Sequence, residues 1–280
     1  MLPVLLNLPF LKIYTFGVFL LLSFFWGAFL LWKNFLLTSY KEEDIFDGLF
    51  LSLVGGLLIS RIVYVALHFD NFGLNLVKFF LINGYPGLSL YGFVFGGLLT
   101  FYIHCLIKKI KFLEAIDYVI PACFVALGFG KLGAFVSGAE IGAKTSLFLA
   151  LKYVGVEGYR HLTSFYESIL FFLAAYFSYK LLFSIRRDKY PKGFNLSFFI
   201  TYFAAVYFAF DSLKTGRVNL AGFSFHMMLS AALLLTFVIY FLYYFKSSIF
   251  GFFGDLFKFS SNKHGKKTSK VIHQKTSDQP

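Results

Sequence analysis

Charge is scarce in this chain. Only 14% of its 280 residues are Asp, Glu, Lys or Arg, against roughly 25% in an ordinary soluble domain. That shortfall excludes a normal solvated globular surface. Cysteine is scarcer still. Cys105 and Cys123 are the only two, and both fall in apolar runs. They read as small buried hydrophobes, which excludes a disulfide framework. No zincin or His/Cys metal-ligand spacing, no P-loop and no Gly-x-Ser-x-Gly occurs, so the common metal, nucleotide and hydrolase signatures are absent. No internal repeat is visible either, which counts against an inverted-repeat transporter.

What the chain has is apolar length. It is 58% hydrophobic and 22% aromatic, with 42 phenylalanines. Apolar runs fall at 13–32, 46–67, 85–107, 115–137, 164–184, 194–213 and 222–245. Runs of about 20 residues can cross a hydrocarbon core of ~30 Å. The expected fold is therefore an all-α polytopic membrane protein with seven transmembrane helices. The first run lacks a basic leader and a small-residue cleavage site, and is read as a retained span. Residues 1–248 are expected to form one membrane domain. Residues 249–280 form a basic tail, expected to be disordered and drawn to anionic head groups rather than to nucleic acid. An interfacial amphipathic piece is expected at 247–258.

Net charge is +12, and its distribution sets the topology. Lys33, Lys41, Lys108, Lys109, Lys111, Arg186, Arg187, Lys189, Lys192 and the lysine-rich tail lie on one side. Lys12, Lys78, Lys144, Lys152, Arg160, Lys214 and Arg217 lie on the other and are outnumbered. Positive loops stay cytoplasmic, so the N-terminus is expected outside and the C-terminus in the cytoplasm. The two long connections, 68–86 and 138–163, then lie on the outer face. Long loops in a compact protein often carry function.

Ionisable groups within the spans direct attention further, because a charge in hydrocarbon is retained only when it pairs, lines a wet cavity or does chemistry. These are Arg61, Asp117, Lys131, Glu167, Asp211 and His226. The stretch 128–142, GFGKLGAFVSGAEIG, joins close-packing glycines to Lys131 and Glu140. A lysine beside exposed backbone donors suits an anion. The stretch 159–168, YRHLTSFYES, holds Arg160, His161, Tyr166 and Glu167, with Thr163 or Ser164 expected to cap a helix in a capping box with Glu167. Arg61 is expected to pair with Glu167 or Asp211. Asp211 and Lys214 have the i, i+3 spacing of a local helix pair. His226 reads as a satisfied helix-start histidine. Tyr91 sits among the glycines of YPGLSLYGFVFGG at 85–97.

In this order, the segments resemble the prolipoprotein diacylglyceryl transferase family across most of residues 10–245. The resemblance rests on IYTFG (13–17), SRIVYV (60–65), GLSLYGFVFGG (87–97), GKLGAFVSGAEIG (130–142), RHLTSFYE (160–167) and FAFDSLK (208–214). It implies an enzyme of the bacterial inner membrane. That enzyme moves diacylglyceryl from phosphatidylglycerol to the lipobox cysteine of a preprolipoprotein signal peptide, releasing glycerol phosphate, with no cofactor or metal. The implied catalytic residues are Tyr91, Glu140 and Asp211. Arg61, Lys131, Arg160, Tyr166 and Glu167 are implied to bind phospholipid. Several positions depart from the family pattern. Tyr91 stands for the histidine of a His-Gly-Gly motif, Lys131 for an arginine and Ala134 for an asparagine. Glu140 falls one place late. Tyr207 and Asp211 stand for a late arginine and glutamate. A catalytically degenerate relative that binds lipid or signal peptide, and a small-solute transporter, are the alternatives.

Overall fold

The computed structural model describes residues 2–8, 10, 12–81, 84–153, 155–215, 219–220 and 223–244. The tail at 249–280, the piece at 247–258 and Arg217 lie outside them. The chain divides into two units, Met1–Ala231 and Ala232–Pro280. In the second, the described residues continue a helix to Tyr244.

A short hairpin, β1 (Val4–Asn7) and β2 (Lys12–Tyr14), leads into α1 (Thr15–Phe35). Then come α2 (Glu42–Leu67), two short helices α3 (Phe69–Phe72) and α4 (Leu76–Phe80), α5 (Leu90–Ile107) and α6 (Phe112–Ser137). Strands β3 (Leu151–Lys152) and β4 (Tyr159–Arg160) pair in the next connection. They precede α7 (Thr163–Arg186), α8 (Phe194–Asp211), the hairpin β5 (Asn219–Leu220) and β6 (Phe223–Ser224), and α9 (Phe225–Tyr244). Seven of these helices are long and apolar enough to cross a membrane, so this is a multi-pass membrane protein. Their bounds follow the apolar runs, with shifts that have local causes. The second starts earlier because Glu42, Glu43 and Asp44 occupy its first turn, where the helix dipole favours acids. The third starts later because Ser89 Oγ accepts from Gly92 N and caps it there.

Helix α6 is the hub, packed against α1, α7 and α8. Pro121 lies inside it and cannot donate to the carbonyl four residues back. That carbonyl, on Asp117, instead accepts from Asn195 Nδ2 of α8 at 3.0 Å. The Asp117 side chain accepts from Gly193 N at 2.7 Å and from Asn195 N at 3.0 Å. Asp117 is thus a buried anchor for the start of α8. Hydrocarbon offers no water for an unpaired backbone group, so a neighbouring helix must answer it.

The pair α2–α5 forms a second layer. Its helices approach closely because Gly96 has no side chain. A Cβ there would lie 2.5 Å from Ile59 Cβ and 2.9 Å from the Gly55 carbonyl. Small residues permit this approach in membranes, where van der Waals contact drives association. An apolar cavity of about 580 Å³ is lined by α1, α2, α5 and α6. Lys131 and Glu140 are its only charged lining groups among the described residues.

Candidate active site

The site collects where α6 ends and α7 begins. Gly138 stops α6 in the left-handed conformation, at φ 75°, which a glycine adopts without a Cβ clash. The chain then turns back, and its next residues form a small backbone strip. Ala143 N donates to Leu213 O at 2.8 Å, Thr215 N to Ile141 O at 3.3 Å and His161 N to Ala143 O at 3.0 Å. The strip sews the 138–163 connection to the segment after α8. It thereby brings Glu140 and Lys214 to the same buried spot as Lys131 and Glu167.

Those four groups form a charge-neutral quartet. Lys131 Nζ lies 2.7 and 2.8 Å from the two Glu140 oxygens and 2.8 Å from Glu167 Oε2. Lys214 Nζ pairs with Glu167 Oε1. Glu167 is completely buried, so each of its oxygens answers one lysine. Ser164 Oγ donates to Glu140 Oε2 at 2.8 Å. The ring of Tyr207 lies 5.3 Å from Lys131 Nζ and 4.1 Å from Lys214 Nζ, a cation–π frame for both. Burial alone would raise the Glu140 carboxyl. The charges of Lys131 and Lys214, with hydrogen bonds from Lys131 and Ser164, hold it down at about 2. Burial lowers the Lys214 ammonium below its usual range, and the like charge of Lys131 lowers it further against the pull of Glu167 and Glu140.

A second polar group adjoins the quartet through Tyr207. The Tyr91 ring meets Tyr207 edge-on at 5.5 Å and stacks on the His226 imidazole at 5.4 Å. The Tyr91 hydroxyl is bonded to Ser230 Oγ, and Ser230 Oγ donates to the His226 carbonyl at 2.6 Å. Asp211 Oδ2 and His226 Nδ1 are buried without a hydrogen-bond partner among the described residues.

Residues 3–243 match the family model of prolipoprotein diacylglyceryl transferase. The chain belongs to the prolipoprotein diacylglyceryl transferase family. It is 30% identical to phosphatidylglycerol–prolipoprotein diacylglyceryl transferase of Clostridium tetani over 199 residues, covering 69% of this chain and 78% of the relative. The enzyme of the same name from Clostridioides difficile is 30% identical over 210 residues, covering 75% and 82%. That from Finegoldia magna is 26% identical over 232 residues, covering 82% and 90%.

Within this transferase fold, the expected site residues separate into three places. Lys131, Glu140 and Glu167 meet in the quartet. Tyr91 and Asp211 join the adjoining group. Arg61, Arg160 and Tyr166 stand apart. Arg61 was expected to pair with Glu167 or Asp211, and it does not. Its guanidinium donates to the carbonyls of Phe79 at 2.9 Å, Gly87 at 2.8 Å and Lys78 at 2.8 Å, with the Phe72 ring 5.1 Å away. Three carbonyls at the end of a short helix and the following turn satisfy the fork without a carboxylate. Arg61 therefore braces the 68–86 connection. That connection carries an apolar patch, with Leu74, Leu76, Val77 and Phe80 exposed. Arg160 donates to Glu157 O and Gly142 O, and Tyr166 donates to Leu149 O at 3.1 Å. Both hold the 138–163 connection in place.

Three further expectations are corrected. The capping box at α7 does not form. No side chain caps that helix, because Ser164 turns to Glu140 and Glu167 to the lysines. Lys214 does not pair with Asp211; its ammonium goes to Glu167, leaving Asp211 beside His226 and Tyr91. His226 is not satisfied at Nδ1. Lys214 is the member of the quartet that its sequence context did not single out. Its local spacing to Asp211 offered a sufficient explanation. The signal for it was a second lysine at the end of a span, facing a connection that carries Glu140.

Proposed function

We propose that this chain transfers a diacylglyceryl group from phosphatidylglycerol to the lipobox cysteine thiol of a preprolipoprotein, in a bacterial inner membrane. Its N-terminus would lie outside, and its basic tail in the cytoplasm against anionic lipid. The thiolate sulfur attacks the glyceryl carbon that bears the phosphate ester. A C–S bond forms, the C–O bond breaks, and glycerol phosphate leaves with the electron pair. Such a reaction needs cations beside the departing phosphate and an apolar space for the acyl chains.

The observation that carries this reading is one juxtaposition. The Lys131 ammonium, with Lys214 on the far side of Glu167, stands at the edge of the 580 Å³ apolar cavity. A phospholipid laid there puts its tails among Leu53, Leu57, Leu98 and Leu127 and its phosphate against Lys131. Glu140 is the carboxylate that yields. Its side chain is 43% exposed, while Glu167 has no exposure. A phosphate arriving at Lys131 replaces Glu140, and Glu167 keeps the two ammonium groups together.

Purified protein in phosphatidylglycerol vesicles with a lipobox peptide tests the reading. The expected result is a diacylglyceryl mass gain on the cysteine and one glycerol phosphate released per peptide. Lys131→Ala should slow this by about 100-fold, the typical cost of losing one group that stabilises charge in the transition state. A binding-only relative is favoured by one feature, the Tyr91 hydroxyl being held by Ser230. Peptide and lipid that bind without any thioether forming would establish that alternative and sink the transferase.

A further inference from the structure

A thiol attacks as thiolate, so something must take its proton. None of the residues in the quartet is suited to this. Lys131 and Lys214 are ammonium groups in ion pairs, Glu167 is committed to both, and Glu140, a carboxylate held down at about 2, is too weak a base for a thiol. Tyr91 is a poor proton acceptor, because a phenol ordinarily holds its proton to near pH 10 and this one is already bonded to Ser230.

We propose that His226 is the general base of this site, taking the proton from the acceptor thiol, and that Asp211 and Tyr91 position it. The proposal rests on the transferase reading above. His226 is the imidazole of this cluster. It is half-buried in the first turn of α9, and the Tyr91 ring lies parallel to it, 18° between planes. Phe225 flanks it edge-on at 5.7 Å. Stacking fixes the ring plane and leaves Nδ1 without a hydrogen-bond partner among the described residues. The Tyr91–Ser230–His226 carbonyl chain ties that platform to the same turn of helix. The charged and titratable groups facing the imidazole come from every neighbouring element. They are Asp211 at the end of α8, Lys214 after it, Lys131 on α6 and Glu140 after it, with Tyr91 on α5. Asp211 is the acid among them with an oxygen left over, and it favours the imidazolium that forms when the proton arrives. His226 and Tyr91 do not line the apolar cavity, whereas Lys131 does. The lipid and the thiol therefore meet Lys131 from different sides. The proton goes from sulfur to imidazole as the C–S bond forms, and leaves to water or to the departing phosphate.

The test compares wild type, His226→Gln and Tyr91→Phe in the vesicle assay from pH 6 to 9.5, with thermal unfolding measured alongside. A free cysteine thiol with its ordinary value near 8.5 is only ~3% ionised at pH 7. His226→Gln should therefore fall at least about 30-fold at pH 7 and recover toward wild type above pH 9, where the thiol ionises unaided. KM for the lipid should not move. Tyr91→Phe, which keeps the stacked ring but loses the hydroxyl bond to Ser230, should lose less rate at pH 7 than His226→Gln and share its recovery above pH 9, as a positioning residue does. A His226→Gln protein equally impaired at both pH extremes would mark a structural role and overturn the proposal. So would one as active as wild type at pH 7. A wild-type chain that modifies no peptide would overturn the transferase reading first, and this proposal with it.

Discussion

The two ends of the helical bundle are built from the same kinds of polar residue and treat them oppositely. Where α6 begins, buried polar groups are matched. Asp117, Asn195 and Ser178 satisfy one another and the backbone, and Asn34 Nδ2 donates to Tyr118 O at 2.8 Å. Where α6 ends, the buried atoms without a hydrogen-bond partner among the described residues collect, Asp211 Oδ2, Ser224 Oγ and His226 Nδ1 included. A buried polar group without a partner costs about 1–3 kcal/mol. A protein keeps such groups in lipid where chemistry uses them. One end ties the fold together, and the other holds unspent hydrogen-bonding capacity, where the proposed site lies.

Breaking the quartet should separate the ends most sharply. Glu167→Gln leaves Lys131 and Lys214 facing each other with one carboxylate fewer. Removing one partner of a buried pair costs ~3–5 kcal/mol. A large fall in unfolding midpoint in detergent is expected, with transfer abolished. At the opposite end, Asn195→Ala orphans the Asp117 carbonyl beneath Pro121. It should cost about 1–3 kcal/mol while leaving the rate per folded molecule unchanged. Lost transfer at full stability in that variant would erase the distinction between the ends. The smallest effect on stability belongs to Glu140→Gln, because Glu140 is partly exposed and its pairing is screened. The sign is fixed by its lowered value. With a folded carboxyl at about 2 and an unfolded one near 4.3, the contribution is present above pH ~4.3 and is lost as pH falls toward 2. Wild type should lose more stability than Glu140→Gln across that window, as read by unfolding midpoints at each pH. Parallel curves would show that the carboxylate contributes nothing.

The spans were legible because length and apolarity are what a membrane reads, while their ends moved with local caps such as Ser89, which starts the third at Leu90 and not at 85. Lys131 and Glu167 were legible as charges that hydrocarbon would not tolerate alone, and Glu140 as the acid of the glycine-rich stretch after Lys131. Arg61 was misassigned for a physical reason. A guanidinium can be neutralised in effect by three carbonyls, and carbonyls have no letter in a sequence. Lys214 and His226 were hidden by sufficient local explanations, a helical pair and a helix start. Only the backbone strip from Ile141 to Ala143, which depends on contacts some 70 residues apart, moved Lys214 to Glu167 and left Asp211 for the histidine.

Pro121 has a consequence for the order of assembly. The carbonyl it frees is answered by a side chain 78 positions later. During synthesis, α6 enters the bilayer carrying an acid and an open backbone group that its own neighbours α1 and α5 do not satisfy. The helix that presents Lys131 is thus completed only when α8 docks, and α8 also delivers Tyr207 and Asp211. Docking of α8 therefore ties down one end of α6 and supplies two residues at the other.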